Sequence, residues 1–210
     1  IASCLVGSEM CIRDRANRYP DIAATELRED LAEHLGVSFD QVAVGTGSSA
    51  LCQQLVQITT APGEEVIFPW RSFEAYPIFA QVVGARPIPV PLDADQRVDL
   101  AAMAEKITAD TRLIFVCNPN NPSGTTVTKA EFAEFMDAVP SDVLVALDEA
   151  YIEYNRNADT PLGTELFGAY PNVVFLRTFS KAYGLAGVRV GYAYGPEDVI
   201  AALNKVAIPF

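Results

Sequence analysis

Residues 112–125 read RLIFVCNPNNPSGT, and this stretch fixes the kind of fold. Leu113 to Cys117 are apolar without alternation, the pattern of a strand covered on both faces, as in parallel sheets flanked by helices. The chain then turns sharply. Two prolines and three asparagines (Asn118 to Pro122) make a rigid turn that sets amide side chains just past the strand's end. Turn geometry alone accounts for such a segment, yet three asparagines exceed what a turn needs. In open α/β sheets ligands bind beyond the carboxyl ends of the strands, so residues in this position carry the functional reading.

Working outward, helical and extended patterns alternate. ATELREDLAEHLG (24–36) places Leu27, Leu31 and Leu35 on one helical face and stops at Gly36. QVAV (41–44) is a short strand, followed by a Gly/Ser turn and a helical ALCQQLVQI (50–58). EVIF (65–68) is a strand, FEAYPIFAQVVG (73–84) a helix irregular around Pro77, RPIPV (86–90) extended, and LAAMAEKI (100–107) a helix. TKAEFAEFMDAV (128–139) opens with Thr128 and Glu131 at capping-box spacing. VLVALD (143–148) and VVFLRT (173–178) are further buried strands, and PEDVIAALNKV (196–206) begins a last helix behind Pro196. The alternation predicts a three-layer α/β/α fold around a mainly parallel sheet.

The bulk numbers set limits. With 210 residues there is ample core for one large domain. A net charge of −12 argues against nucleic acid and anionic membrane surfaces as partners, and no apolar run approaches the ~20 residues of a membrane span. Cys4, Cys11, Cys52 and Cys117 show neither metal spacing nor the density of a disulfide scaffold, which suits reduced thiols in a cytoplasmic protein, and no metal site is expected. The sole histidine, His34, falls in the last turn of the first helix and reads as a surface residue, so a histidine-based triad is not expected. The first fifteen residues, IASCLVGSEMCIRDR, have neither the basic start nor the long apolar stretch of a secretion signal. They resemble translated adapter sequence and are set aside as a non-native scar.

The segments that follow strands hold the chemistry. GTGSSA (45–50) leads into a helix whose N-terminal amides can take an anion, although the same residues serve a plain turn; the Gly-Lys-Ser/Thr ending of a nucleotide loop is absent. After VLVAL comes DEAYIEY, with Asp148 at the strand's end and Tyr151 three residues on. A carboxylate there is either a surface acid or one met by a cation or a donor. After VVFLR comes RTFSKAYGLAGVRVGYAYG (177–195), carrying Thr178, Ser180, Lys181 and Arg189. A phosphate-type turn, an amide, an acid, a lysine and an arginine thus converge on one sheet edge, a set suited to an anionic cofactor with a carbonyl and a basic nitrogen.

NPNNPSG, DEAYIEY and RTFSKAYGLAGVRVGY, in this order and spacing, resemble the motifs of fold-type I pyridoxal-phosphate-dependent aminotransferases, closest to the histidinol-phosphate and aromatic amino acid group. The resemblance runs from about Ala16 to Phe210. It implies that Lys181 forms the Schiff base with pyridoxal 5′-phosphate and moves the substrate proton, and that Asp148 pairs with the pyridinium nitrogen. It further implies that Asn121 and Tyr151 bond the cofactor's phenolic oxygen, and that Gly47, Ser48, Ser49, Thr178, Ser180 and Arg189 hold its phosphate. FPWRSFEAYP (68–77) resembles the segment whose aromatic stacks on the ring, assigned here to Phe73, while Trp70 and Tyr76 read as packing. RYPD (18–21) resembles the segment that sends a tyrosine, Tyr19, into the partner's site of a homodimer.

Two departures stand out. The family's N-terminal Asn-Glu-Asn-Pro-type motif is absent. The chain also stops where the family continues into a small domain that binds the substrate carboxylate, so residues 16–210 read as the cofactor-binding large domain, inactive by itself. The implied reaction moves an amino group between histidinol phosphate or an aromatic amino acid and 2-oxoglutarate. The alternatives are a related threonine-phosphate decarboxylase, or the aminotransferase-like sensor domain of a regulator, the latter disfavoured because nothing here is basic.

Overall fold

The computed structural model describes residues 19–208; the stretch set aside as a scar, with Cys4 and Cys11, lies outside them. Seven strands form one sheet: β1 (Val42–Gly45), β2 (Glu65–Trp70), β3 (Arg86–Pro91), β4 (Thr111–Cys117), β5 (Leu144–Asp148), β6 (Val173–Thr178) and β7 (Gly191–Tyr194). Their spatial order is β1-β7-β6-β5-β4-β2-β3. The β3-β2-β4-β5-β6 pairs are parallel, whereas β7 enters antiparallel between β6 and β1.

The helices are α1 (Thr25–Leu35), α2 (Ser48–Thr59), α3 (Ala75–Val82), α4 (Leu100–Ala104), α5 (Lys129–Ala138), α6 (Gly163–Leu166) and α7 (Glu197–Val206). They divide between the two faces of the sheet, and β4 shows why its sequence is continuously apolar. Ile114 and Val116 enter the core that includes Leu31 of α1, Met103 of α4 and Phe132 of α5. Leu113, Phe115 and Cys117 enter the opposite core, with Leu51 and Leu55 of α2, Tyr76 and Ala80 of α3, and Ile200 and Leu203 of α7. Burying a large aliphatic side chain yields about 1.5–3 kcal/mol, so doubly covered strands carry much of the stability.

Local signals hold where they were strongest. Gly36 closes α1 with φ 71°, a left-handed cap that glycine adopts without Cβ strain. Thr128 and Glu131 form the capping box reciprocally at α5. His34 is exposed at the end of α1, and Cys52 and Cys117 are buried free thiols.

One strand escapes the sequence reading. GYAY, β7, lies inside the stretch read for chemistry. It is short and wholly buried, so it has no alternation to betray it. Only its pairing with β6, the strand just before it in the chain, and with β1, about 150 residues away, makes it a strand.

Candidate active site

Strand register builds the site. Cys117 pairs with Asp148, Asp148 with Leu176, Thr178 with Gly191, and Gly191 with Gly45, so the carboxyl ends of β4, β5, β6 and β1 lie side by side around β7's start. Alternation along each strand then sorts the side chains. Asp148 and Thr178 lie on the α2/α3 side, with Ala146 and Leu176, whereas Glu149 and Arg177 lie on the other side, beside Phe175 and Tyr194.

A cavity of about 210 Å³ opens at this edge. Its wall includes Asp148, Tyr151, Lys181, Asn121 and Phe73. Ser48, Ser49, Thr178, Ser180 and Arg189 complete it. Every residue expected to touch the cofactor lines it except two. Gly47 sits immediately behind Ser48. Tyr19 is 80% exposed and is not among the residues lining the cavity.

The anion end is formed by backbone as much as by side chains. Gly47 caps α2 with φ 83° and supplies no side-chain cap, and Ser48 and Ser49 of the first turn line the cavity. A Cβ on Gly191 would strike the Ser48 amide and the Gly47 backbone, so close approach requires glycine there, whereas Gly47 is required by its φ of 83° and lies against the Arg189 guanidinium. Arg189 reaches back across the turn. Its Nη1 donates to Ser180 Oγ at 3.1 Å and to Ala186 O at 3.0 Å, and its Nη2 donates to Thr46 O and Ser49 Oγ, both at 3.4 Å. Arg189 itself holds φ 58°, a left-handed conformation that costs a non-glycine residue about 1–2 kcal/mol. Thr178 Oγ1 accepts from the Ser180 amide at 3.1 Å, shaping the turn into Lys181.

At the other end stands Asp148, 3% exposed. Its Oδ2 accepts from Tyr76 Oη at 2.7 Å and its Oδ1 from the Ala150 amide at 3.2 Å. Burial pushes its carboxyl above the ordinary value despite these donors and the Lys181 charge. Such an acid gains from a cationic partner in the cavity.

The turn after β4 explains its three asparagines. Asn118 Oδ1 accepts from the Val127 amide, and Asn120 Nδ2 donates to Arg71 O and Ser123 Oγ, so both hold the loop. Asn121, the third, lines the cavity. Lys181 is exposed, its ammonium 5.1 Å from the centroid of the Tyr151 ring. Among the described residues nothing covers residues 181–189, and the side chain stands in the open mouth.

Tyr76 packs as the sequence suggests, buried with its ring stacked on Phe115, but its hydroxyl also bonds the site's carboxylate, a contact the sequence reading does not anticipate. A signal existed, since a buried tyrosine hydroxyl needs a partner and Tyr76 follows Phe73 by one helical step. Trp70 does pack, edge-on to Phe68 and under the Arg71 guanidinium.

Residues 10–210 match the family of class I and II aminotransferases. The chain belongs to that family. An aromatic amino acid aminotransferase of Corynebacterium glutamicum is 71% identical over 195 residues, which are 93% of this chain and 57% of that protein. The histidinol-phosphate aminotransferase of Sinorhizobium meliloti, solved with pyridoxal-5′-phosphate, superposes with TM-score 0.84 at 32% identity, covering 94% of this chain and 54% of that one. The L-threonine-O-3-phosphate decarboxylase of Porphyromonas gingivalis superposes with TM-score 0.80 at 25% identity, covering 98% and 61%. The chain thus spans little more than half the length of the curated relatives it matches. The turn before α2 with Arg189, the buried Asp148 and Lys181 line one cavity and are groups of the kind that fit pyridoxal phosphate, an anion with a basic nitrogen and an aldehyde.

Proposed function

We propose that the protein is a pyridoxal-phosphate-dependent aminotransferase that takes the amino group of an aromatic amino acid and passes it to a 2-oxo acid such as 2-oxoglutarate. The observation that carries this reading is the single cavity joining Lys181 and the buried Asp148 to the Arg189 cradle. Identity of 71% to an aromatic amino acid aminotransferase favours the aromatic donor over histidinol phosphate, which rests on a structural neighbour at 32%.

The bound cofactor would supply an electron sink for the substrate's Cα–H electrons. The chain's own residues do the rest. Ser48 and Ser49 amides, the Thr178 and Ser180 hydroxyls and the Arg189 guanidinium would fix the phosphate. Asp148 would keep the ring nitrogen protonated, and Asn121 with Tyr151 would hold the phenolic oxygen. Phe73 would lie against the ring. Lys181 would anchor the cofactor's aldehyde carbon and, once released, move a proton at the substrate's Cα. We further propose that the substrate carboxylate is gripped by a small domain corresponding to the relatives' remaining length, that the protein is a cytoplasmic homodimer, and that Tyr19 serves the partner's site. Among the described residues no helix is long and apolar enough to cross a membrane.

Borohydride reduction of the cofactor-loaded protein followed by peptide mass spectrometry is expected to place the adduct on Lys181; a label on Lys205 or Lys129 would sink the assignment. Product analysis separates the chemistries. Phenylalanine or tyrosine should yield the 2-oxo acid, whereas carbon dioxide released from threonine phosphate would favour the decarboxylase suggested by the Porphyromonas neighbour.

A further inference from the structure

Asp148 is not held by the sheet alone. Oδ2 takes the Tyr76 hydroxyl at 2.7 Å and Oδ1 the Ala150 amide at 3.2 Å, leaving each oxygen one further lone pair for the cavity that Asp148 lines. Tyr76 is fully buried, its ring stacked on Phe115 with centroids 4.4 Å apart and 11° between planes. It also meets Phe73, another cavity residue, edge-on at 5.4 Å and 89°. The phenol therefore cannot swing away, and it ties together the aromatic and the acid that line one cavity.

We propose that Tyr76 is a positioning residue for the reaction: by donating to Asp148 Oδ2 it fixes the carboxylate's plane and limits its basicity toward the cofactor's ring nitrogen. This rests on the reading of Asp148 as the ring-nitrogen partner. Groups from every neighbouring element support the donor role. Burial, then the charge of Asp148 and the thiols Cys117 of β4 and Cys52 of α2, hold the phenol's proton on well beyond the ordinary tyrosine range. Tyr76 thus stays an O–H donor at any working pH. Glu149 raises the Asp148 carboxyl and Lys181 lowers it, but neither is bonded to it.

The test compares Tyr76→Phe, Asp148→Asn and the double variant in the full-length protein. Phe keeps the stack on Phe115 and removes only the hydroxyl. In apoprotein, the ¹³C titration of the Asp148 carboxyl should move up by about one pH unit in Tyr76→Phe, the worth of one hydrogen bond to a charged group. In holoprotein, the pH midpoint of the bound cofactor's absorbance should shift in each single variant. Because Tyr76 acts through Asp148, adding Tyr76→Phe to Asp148→Asn should produce no further shift. Additive shifts, or an unmoved carboxyl titration, would overturn the proposal. So would a carboxyl that moves while the cofactor midpoint stays put. If Asp148→Asn itself leaves the cofactor midpoint unchanged, the reading of Asp148 fails first and Tyr76's role falls with it. Should Tyr76→Phe not fold, 3-fluorotyrosine at position 76, a more acidic phenol and stronger donor, must move the carboxyl titration down; no movement refutes the proposal.

Discussion

Asp148 is an acid kept from water, and its burial has a cost that bound cofactor would relieve. Its folded value is raised, so the apoprotein binds that proton more readily than the unfolded chain does. Its contribution to stability is therefore present at low pH and is lost as pH rises through the folded value. Wherever it is ionised, the buried group is a liability to the fold. We expect Asp148→Asn to raise the urea midpoint of the apoprotein at pH 7, since the amide oxygen still accepts from Tyr76 without the charge. The same change should leave cofactor binding largely intact while slowing Cα proton removal about 10²–10³-fold, the loss seen when one preorganised electrostatic partner is removed. Half-transamination within a few-fold of wild type would refute that role. Cys117 obeys the same sign: burial pushes its thiol to about 12, so it should resist alkylation at pH 8 until denaturant is added. Arg189→Ala should weaken cofactor affinity about 10- to 100-fold, as expected for losing charged hydrogen bonds to phosphate. An equilibrium titration with pyridoxal phosphate checks this, and Arg189→Lys should restore it only in part.

At the level of elements, the ends of β5, β6 and β7 are locked from the face opposite the cavity. Glu149 is fully buried. Its Oε2 accepts from Arg177 Nε at 2.8 Å and Tyr194 Oη at 3.0 Å, and its Oε1 from the Gly163 amide at 2.7 Å. Since Glu149 follows Asp148 and Arg177 precedes Thr178, this pair sets the spacing of two site residues without touching the cavity. Removing one partner of a buried pair typically costs about 3–5 kcal/mol. Arg177→Met is expected to lose stability of that order in urea unfolding, and Arg177→Met/Glu149→Gln to recover part of it. An Arg177→Met protein as stable as wild type would show that the pair contributes nothing.

For the whole molecule, the question is whether the site is completed by a second copy. We expect a homodimer in which Tyr19, exposed in this chain and not lining its cavity, reaches the other subunit's phosphate. Mixing a Tyr19→Phe protein with a Lys181→Ala protein decides it. If Tyr19 acts across the interface, the heterodimer's one lysine-bearing site keeps a tyrosine and binds cofactor like wild type. If it acts within a subunit, that site stays as weak as in the Tyr19→Phe homodimer, and the arrangement is wrong.

What the sequence determined by itself were features encoded over a few consecutive residues. The unbroken apolar run 113–117 dictated a doubly covered strand; Thr128 with Glu131, and Gly36, dictated helix ends; and motifs after three strands brought Asn121, Asp148 and Lys181 to one edge. Tertiary structure decided what depends on partners distant in the chain. β7 is a strand because β1 and β6 flank it, and four buried residues carry no period of their own. Tyr76 became part of the site because alternation along β5 turns Asp148 toward α3, across 72 positions of sequence. The exposure of Lys181 is likewise a tertiary fact, since among the described residues nothing packs over residues 181–189. A periodic pattern records which face of an element is buried, but the identity of the group met there is fixed only when the sheet is assembled.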